Sequence, residues 1–158
     1  MRELILLRHA HAESATPGQD DALRPLSGVG REEAAAAARW LREQGLVPDR
    51  VLVSPAARTR QTADAVVAEL GLPAYEEQAA IYDASPGDLM ALADAHRDAT
   101  RLLMVGHNPG FEQLAALMHS GQSGDYRGMP PGGIAVLRLP ADADIEPGVA
   151  SLAAFWWP

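Results

Sequence analysis

The chain of 158 residues contains no cysteine, which excludes disulfides, thiolate metal sites and a cysteine nucleophile together. No apolar run approaches the ~20 residues that span a bilayer. The aliphatic stretch near the start, Leu4 to Leu7, follows the acidic Glu3 and lacks the length and cleavage site of a secretory signal. A cytoplasmic protein without membrane attachment is the expectation. Positive charge is scarce: 13 basic residues stand against 21 acidic ones, for a net charge of -8. A surface of that sign repels nucleic acid and anionic membranes, so neither is an expected partner. Nucleotide motifs are missing as well. Gly28-Val29-Gly30 lacks the third glycine of the dinucleotide fingerprint and follows no strand, and no Walker-type loop is present. There is no Gly-x-Ser-x-Gly elbow either.

What is present is a composition of 47% hydrophobic and 22% charged residues, enough for one globular domain over residues 1–158 with a sizeable core. Within it one pattern recurs three times. Leu4 to Leu7 runs into Arg8-His9; Val51-Leu52-Val53 runs into Ser54-Pro55-Ala56-Ala57-Arg58; Leu102 to Val105 runs into Gly106-His107-Asn108-Pro109. Each is a short apolar strand covered on both faces that hands over to polar chemistry. Were these strands parallel neighbours, two arginines and two histidines would converge at one sheet edge, where open α/β sheets bind their ligands.

Between the strands the helix signals are clear. Ser27 caps a helix running to about Gln44, rich in alanine from Ala34 to Ala38 and ended by Gly45 and Pro48. A second helix covers about Ala57 to Leu70, with Ala63, Val66, Val67 and Leu70 as its core stripe and Arg58 in its first turn. Ser85-Pro86-Gly87-Asp88 has capping-box spacing for a third helix to about His96. Asn108-Pro109 starts a fourth, ending near Ser120. Residues 10–27 and 120–133 read as loops, residues 74–82 as a weak short strand, and 134–139 and 151–157 as two closing strands. Trp156 and Trp157 are expected to pack against the sheet. The alternation predicts a three-layer α/β fold with a mostly parallel central sheet and helices on both faces.

Arginine offers a planar fork that matches two oxygens of a phosphoryl group, and Arg8 and Arg58 are placed to do so from two sides. A histidine attacks phosphorus only through a bare ring nitrogen, and neighbouring guanidinium charges favour that neutral form by like-charge repulsion. From the residues alone, either His9 or His107 is the nucleophile, and the other donates to a phosphoryl oxygen. His11 is read as loop or pocket rim, and His96 and His119 as structural residues at helix ends.

The three motifs, Leu-Leu-Arg8-His9-Ala10, Ser54-Pro55-x-x-Arg58-x-x-Gln61-Thr62 and Gly106-His107-Asn108-Pro109, together resemble the histidine phosphatase superfamily, the phosphoglycerate-mutase-like group. The short length and the Arg24-Pro25-Leu26-Ser27 segment look most like its small phosphohistidine phosphatases. The resemblance implies a phosphoglycerate-mutase-like fold, His9 as the nucleophile that becomes phosphorylated, Arg8 and Arg58 as the phosphoryl clamp, and His107 as the second histidine. It implies no metal and no cofactor. Ser54, Arg24 and Asn108 are candidates for the pocket or for contacts that support it. Ala10 replaces a glycine common in the family, and its methyl is expected to narrow the pocket.

Relatives with ester substrates place a glutamate after the second helix; Glu76, Glu77 and Asp83 are the candidates for a general acid here, none in a clear motif. An imidazole leaves from a P–N bond with less protonation than an alkoxide needs, which favours hydrolysis of protein phosphohistidine or a related phosphoramidate. The expected partner is therefore a phosphorylated protein carrying phosphohistidine, with a small phosphorylated metabolite as the alternative. A phosphomonoesterase or mutase of the same superfamily, or a phosphate-binding module without catalysis, are the competing functions. The oligomeric state is left open.

Overall fold

The computed structural model describes residues 1–158. Its first strand, β1 (Glu3–Arg8), sends Leu4 and Leu6 to one face and Ile5 and Leu7 to the other, and all four are fully buried. A strand with both faces covered gains roughly 2 kcal/mol from each such side chain, which is why its sequence is continuously apolar and does not alternate. The same division of faces holds in β2 (Arg50–Val53) and β4 (Arg101–Gly106). With β3 (Glu76–Glu77), β5 (Ile134–Arg138) and β6 (Ser151–Trp156) they form one sheet in the order β3-β2-β4-β1-β5-β6. β1, β2, β3 and β4 are mutually parallel, while β5 runs antiparallel to both β1 and β6.

Helices α1 (Gly28–Glu43) and α2 (Ala57–Leu70) cover one face through Ala37, Ala38, Leu41, Ala63 and Val66, all buried with Ile5, Leu7, Val51, Val53, Leu103 and Val105. The opposite face receives α3 (Pro86–Ala95) and α4 (Gly110–Ser120) through Leu89, Ala93, Phe111, Leu114 and Met118. The result is the three-layer α/β architecture that the alternation of strands and helices predicts. The helix ends also follow their local chemistry. Ser27 Oγ accepts from Gly30 N at 2.9 Å, Ser85 and Asp88 close a reciprocal capping box, and α2 and α4 stop at Gly71 and Gly121, both with positive φ.

Four expectations are revised. The stripe of α2 is more polar than expected: Thr59 and Thr62 are fully buried beside Ala63 and Val66, whereas Val67 and Leu70 are only half-buried. Both threonine hydroxyls donate to backbone carbonyls, so their burial leaves no donor unpaired. The 10–27 segment is not an open loop, because Ala12 and Leu26 form an antiparallel bridge and Asp21–Leu23 make a 3-10 turn. The weak strand after α2 shrinks to Glu76–Glu77, followed by a 3-10 turn at Ala79–Ile81. Of the two closing tryptophans, Trp156 stacks on Trp40 with centroids 5.4 Å apart, but Trp157 is 54% exposed.

One close approach fixes where the 10–27 segment runs. A Cβ built on Gly30 would lie 1.9 Å from the His11 carbonyl oxygen, so only glycine lets the first turn of α1 press against the chain leaving β1. Ser27 N donates to the same carbonyl at 3.0 Å. Gly30→Ala is expected to destabilise the protein by about 1–3 kcal/mol through overpacking against rigid backbone, measured as a lowered urea midpoint at unchanged slope; a midpoint equal to that of the wild type contradicts this packing.

Candidate active site

β2, β4 and β1 are parallel neighbours, so their carboxyl ends emerge side by side. The register pairs Arg8 with Gly106 and Val53 with Val105. The next residue on each strand is therefore His9, His107 and Ser54. His9 N donates to Gly106 O at 3.0 Å and Ser54 N to Val105 O at 3.1 Å, extending the ladder one step past the strands. The two imidazole centroids lie 5.3 Å apart, close enough to contact one phosphoryl group. Arg8, His9, His11, Ala12, Arg24, Arg58, His107, Asn108 and Pro131 line a cleft of about 310 Å³ at this edge.

Each side chain is held by an identifiable contact. His9 Nδ1 lies 2.7 Å from Ala10 O; a carbonyl only accepts, so Nδ1 carries the proton and Nε2 keeps its lone pair. Ser54, fully buried, shares a hydrogen bond with His107 Nε2 at 2.7 Å, and His107 Nδ1 is buried with no protein partner. Arg8 NH1 donates to Met129 O at 2.9 Å, a carbonyl that also accepts from Asn108 Nδ2 at 2.9 Å. The 120–133 segment thus supplies one backbone oxygen that orients two of the expected residues. Asn108 also grips the first turn of α4, its Oδ1 accepting from Glu112 N at 3.3 Å.

Arg58 is 5% exposed and is held from one side by a single residue. Its NH1 donates to Asp21 O at 2.8 Å and its NH2 to Asp21 Oδ2 at 3.0 Å. The other residues of the middle motif secure the 10–27 segment: Ala10 N donates to Thr62 Oγ1 at 3.2 Å and Leu26 N to Gln61 Oε1 at 2.7 Å. Arg24 lines the cleft, its Nε donating to Asp21 Oδ1 at 2.9 Å and its NH1 to Glu13 O at 3.1 Å. His11 stands at the rim with Nδ1 2.7 Å from Ser27 Oγ.

Ala10 does not narrow the cleft as expected. It is fully buried in a small apolar cluster with Leu26 and Ala34, so its methyl packs beneath the 10–27 segment. Glu76 and Glu77 sit on the exposed edge strand, with Glu77 Oε1 3.7 Å from Arg60 NH1, and neither lines the cleft. Asp83, at positive φ, lines an adjoining cavity of about 180 Å³ with His107 and Asn108.

Two side chains at the site carried no motif. Tyr82 packs edge-on against His107 with centroids 5.4 Å apart, and its hydroxyl donates to Asp21 Oδ2. Asp21 is held well below the usual carboxylate range, first by that bond and then by those from Arg58 and Arg24, against the cost of burial. No local pattern in the sequence marks either residue.

Burial lowers His9 to about 3, with the charges of His107, Arg58 and Arg8 adding to it against the bond to Ala10 O. His107 falls to about 4, again chiefly by burial and next by Arg58, with Asp21 opposing. Desolvation therefore keeps the imidazoles neutral more than the arginines do, a reversal of the weighting expected from the motifs.

Residues 4–101 match the histidine phosphatase superfamily (branch 1), and the chain belongs to that family. An uncharacterized chloroplastic protein of Arabidopsis thaliana is 32% identical over 128 residues, which are 74% of this chain and 59% of that protein. The phosphohistidine phosphatase SixA of Escherichia coli (strain K12) is 30% identical over 127 residues, 77% of this chain and 76% of SixA. A solved structure of the protein histidine phosphatase SixA complexed with tungstate has a TM-score of 0.83 at 26% identity, covering 99% of this chain and 97% of that one.

Both imidazoles bind protons more weakly in the folded chain than in the unfolded chain, where the value is about 6.5. Folding stability is therefore full above pH 6.5 and falls as the pH drops toward 4, with a slope of at most about 1.4 kcal/mol per pH unit for each imidazole. Urea midpoints measured from pH 7 to 4.5 check this, and His9→Asn is expected to flatten the curve; midpoints that stay level across the window contradict it.

Proposed function

We propose that this protein is a metal-independent phosphatase that hydrolyses phosphohistidine on proteins through a covalent intermediate on His9. The observation that carries this reading is the bond from His9 Nδ1–H to Ala10 O, which leaves Nε2 with its lone pair in a histidine that shares its cleft with Arg8 and Arg58. In the first step the Nε2 lone pair attacks phosphorus while the P–N bond of the substrate breaks, and the departing imidazole takes a proton from water. In the second step a water oxygen attacks phosphorus, the bond to His9 Nε2 breaks, and orthophosphate leaves with a proton lost to solvent. Arg8 and Arg58 hold phosphoryl oxygens and balance the charge that develops in transit. With the Ser54 hydroxyl donating to His107 Nε2, His107 Nδ1–H is left for a phosphoryl oxygen.

The leaving group is the point on which substrate class turns. Tyr82 packs edge-on against His107 without a bond to it, and its hydroxyl is committed to Asp21, a bond that raises its pKa. It is therefore a poor proton source for an alkoxide, while an imidazole departs with less help. Kinship with SixA supports the same substrate class, a phosphorylated protein. One observation favours a small phosphate ester as the second reading: Asp83 stands in the cavity that shares His107 and Asn108.

Phosphate release from a phosphohistidine protein, phosphoramidate and common phosphate esters, each with EDTA present, tests both readings. Turnover is expected to be highest on the phosphohistidine protein, to be unaffected by EDTA, and to fall at least ~1,000-fold in His9→Ala and ~100-fold or more in Arg58→Ala. Undiminished release by His9→Ala removes the mechanism, and a preference for esters that is lost in Asp83→Asn selects the second reading.

A further inference from the structure

Arg58 sits in the first turn of α2, where the helix dipole opposes a cation, and its side chain is 6% exposed. A guanidinium so placed needs a fixed anionic partner to justify its desolvation, and Asp21 is its one ion-pair partner. The grip is two-pronged, because the Asp21 carbonyl takes NH1 and its carboxylate takes NH2, fixing the plane of the guanidinium as well as its position. The other carboxylate oxygen accepts from Arg24 Nε. Tyr82, which stands against His107, sets the carboxylate through its hydroxyl. Asp21 itself does not line the cleft. It stands behind two cleft arginines and joins segments 37 and 61 residues away in the chain.

We propose that Asp21 is a positioning residue that holds Arg58 and Arg24 in place at the cleft while weakening the grip of the site on free phosphate. The proposal rests on the phosphatase reading and concerns how that site is tuned. Two physical effects act in opposite directions. Angular fixing of Arg58 matters most in the transition state, where an ångström of misplacement is worth about 100-fold in rate. The negative charge beside two guanidinium groups matters most for ground-state anions, orthophosphate included, whose binding is chiefly Coulombic. An enzyme that liberates phosphate into a cleft of several arginines gains turnover from this carboxylate, because product leaves more readily.

Four proteins separate this role from a merely structural one: wild type, Asp21→Asn, Tyr82→Phe, and Asp20→Asn as a charge control from the neighbouring position, where the side chain caps the 3-10 turn. For each, kcat and KM on a phosphohistidine protein are measured, along with Kd for inorganic phosphate by calorimetry. Asp21→Asn is expected to lower kcat about 10- to 100-fold while tightening phosphate binding about 3- to 10-fold. Tyr82→Phe keeps the charge and loses the orientation, so kcat falls about 3- to 10-fold with phosphate affinity unchanged. Asp20→Asn is expected to match the wild type in both. A phosphate Kd that is unchanged or weakened in Asp21→Asn, or a kcat equal to that of the wild type, overturns the proposal. Should the wild type itself release no phosphate from any substrate, the phosphatase reading falls, and the calorimetric comparison alone still decides whether Asp21 tunes the anion site.

Discussion

The site depends on the register between β1 and β4. Because Arg8 pairs with Gly106, the chain has no freedom to separate the residues that follow, and His9 and His107 are set beside one another by the hydrogen-bond ladder of the sheet. Neither imidazole is positioned by a flexible loop. A shift of one residue in this register would send Leu4 and Leu6 to the face now holding Ile5 and Leu7 and withdraw one histidine from the other. The two fully packed layers above and below the sheet resist that shift. Core packing and site geometry are in this sense the same constraint, seen from the middle and from the end of the same strands.

Around this pair the protein gathers positive charge against its overall sign. Three arginines line one cleft in a chain of net charge -8, and Asp21 offsets part of that excess from behind two of them. Burial is the leading cause of the low pKa values of both histidines, and the guanidinium charges act in the same direction. Under the proposed mechanism these features work together: a desolvated imidazole keeps its lone pair, and charge nearby waits for the anion. The neutral state of His9 is also fixed in tautomer, since the Ala10 carbonyl admits only a donor at Nδ1.

The motifs made sense in the sequence as runs of residues, but some of their members act for reasons that lie outside the run. Gln61 and Thr62, three and four residues past Arg58, hold the backbone at Leu26 and Ala10. They secure the chain around the cleft without lining it. Ala10 follows His9 directly, and adjacency in sequence implies that its methyl faces the same space; instead it enters an apolar cluster with Leu26 and Ala34. Asp21 and Tyr82 had no motif to announce them. Acidic residues are common in this chain, and nothing local distinguishes the one that meets a buried arginine 37 residues later.

What the amino-acid order determined by itself was every feature with a short physical range. Apolar runs marked the strands, caps and glycines marked the helix ends, and the abrupt change from aliphatic to Arg-His or Gly-His marked where chemistry begins. Tertiary structure decided what depends on distance through space: which strands are neighbours, how deeply the imidazoles are desolvated, and which carboxylate meets Arg58. The reason is that backbone propensities act over a turn or two of chain, while burial and ion pairing are properties of surfaces assembled from segments dozens of residues apart, and only the folded sheet brings those surfaces together.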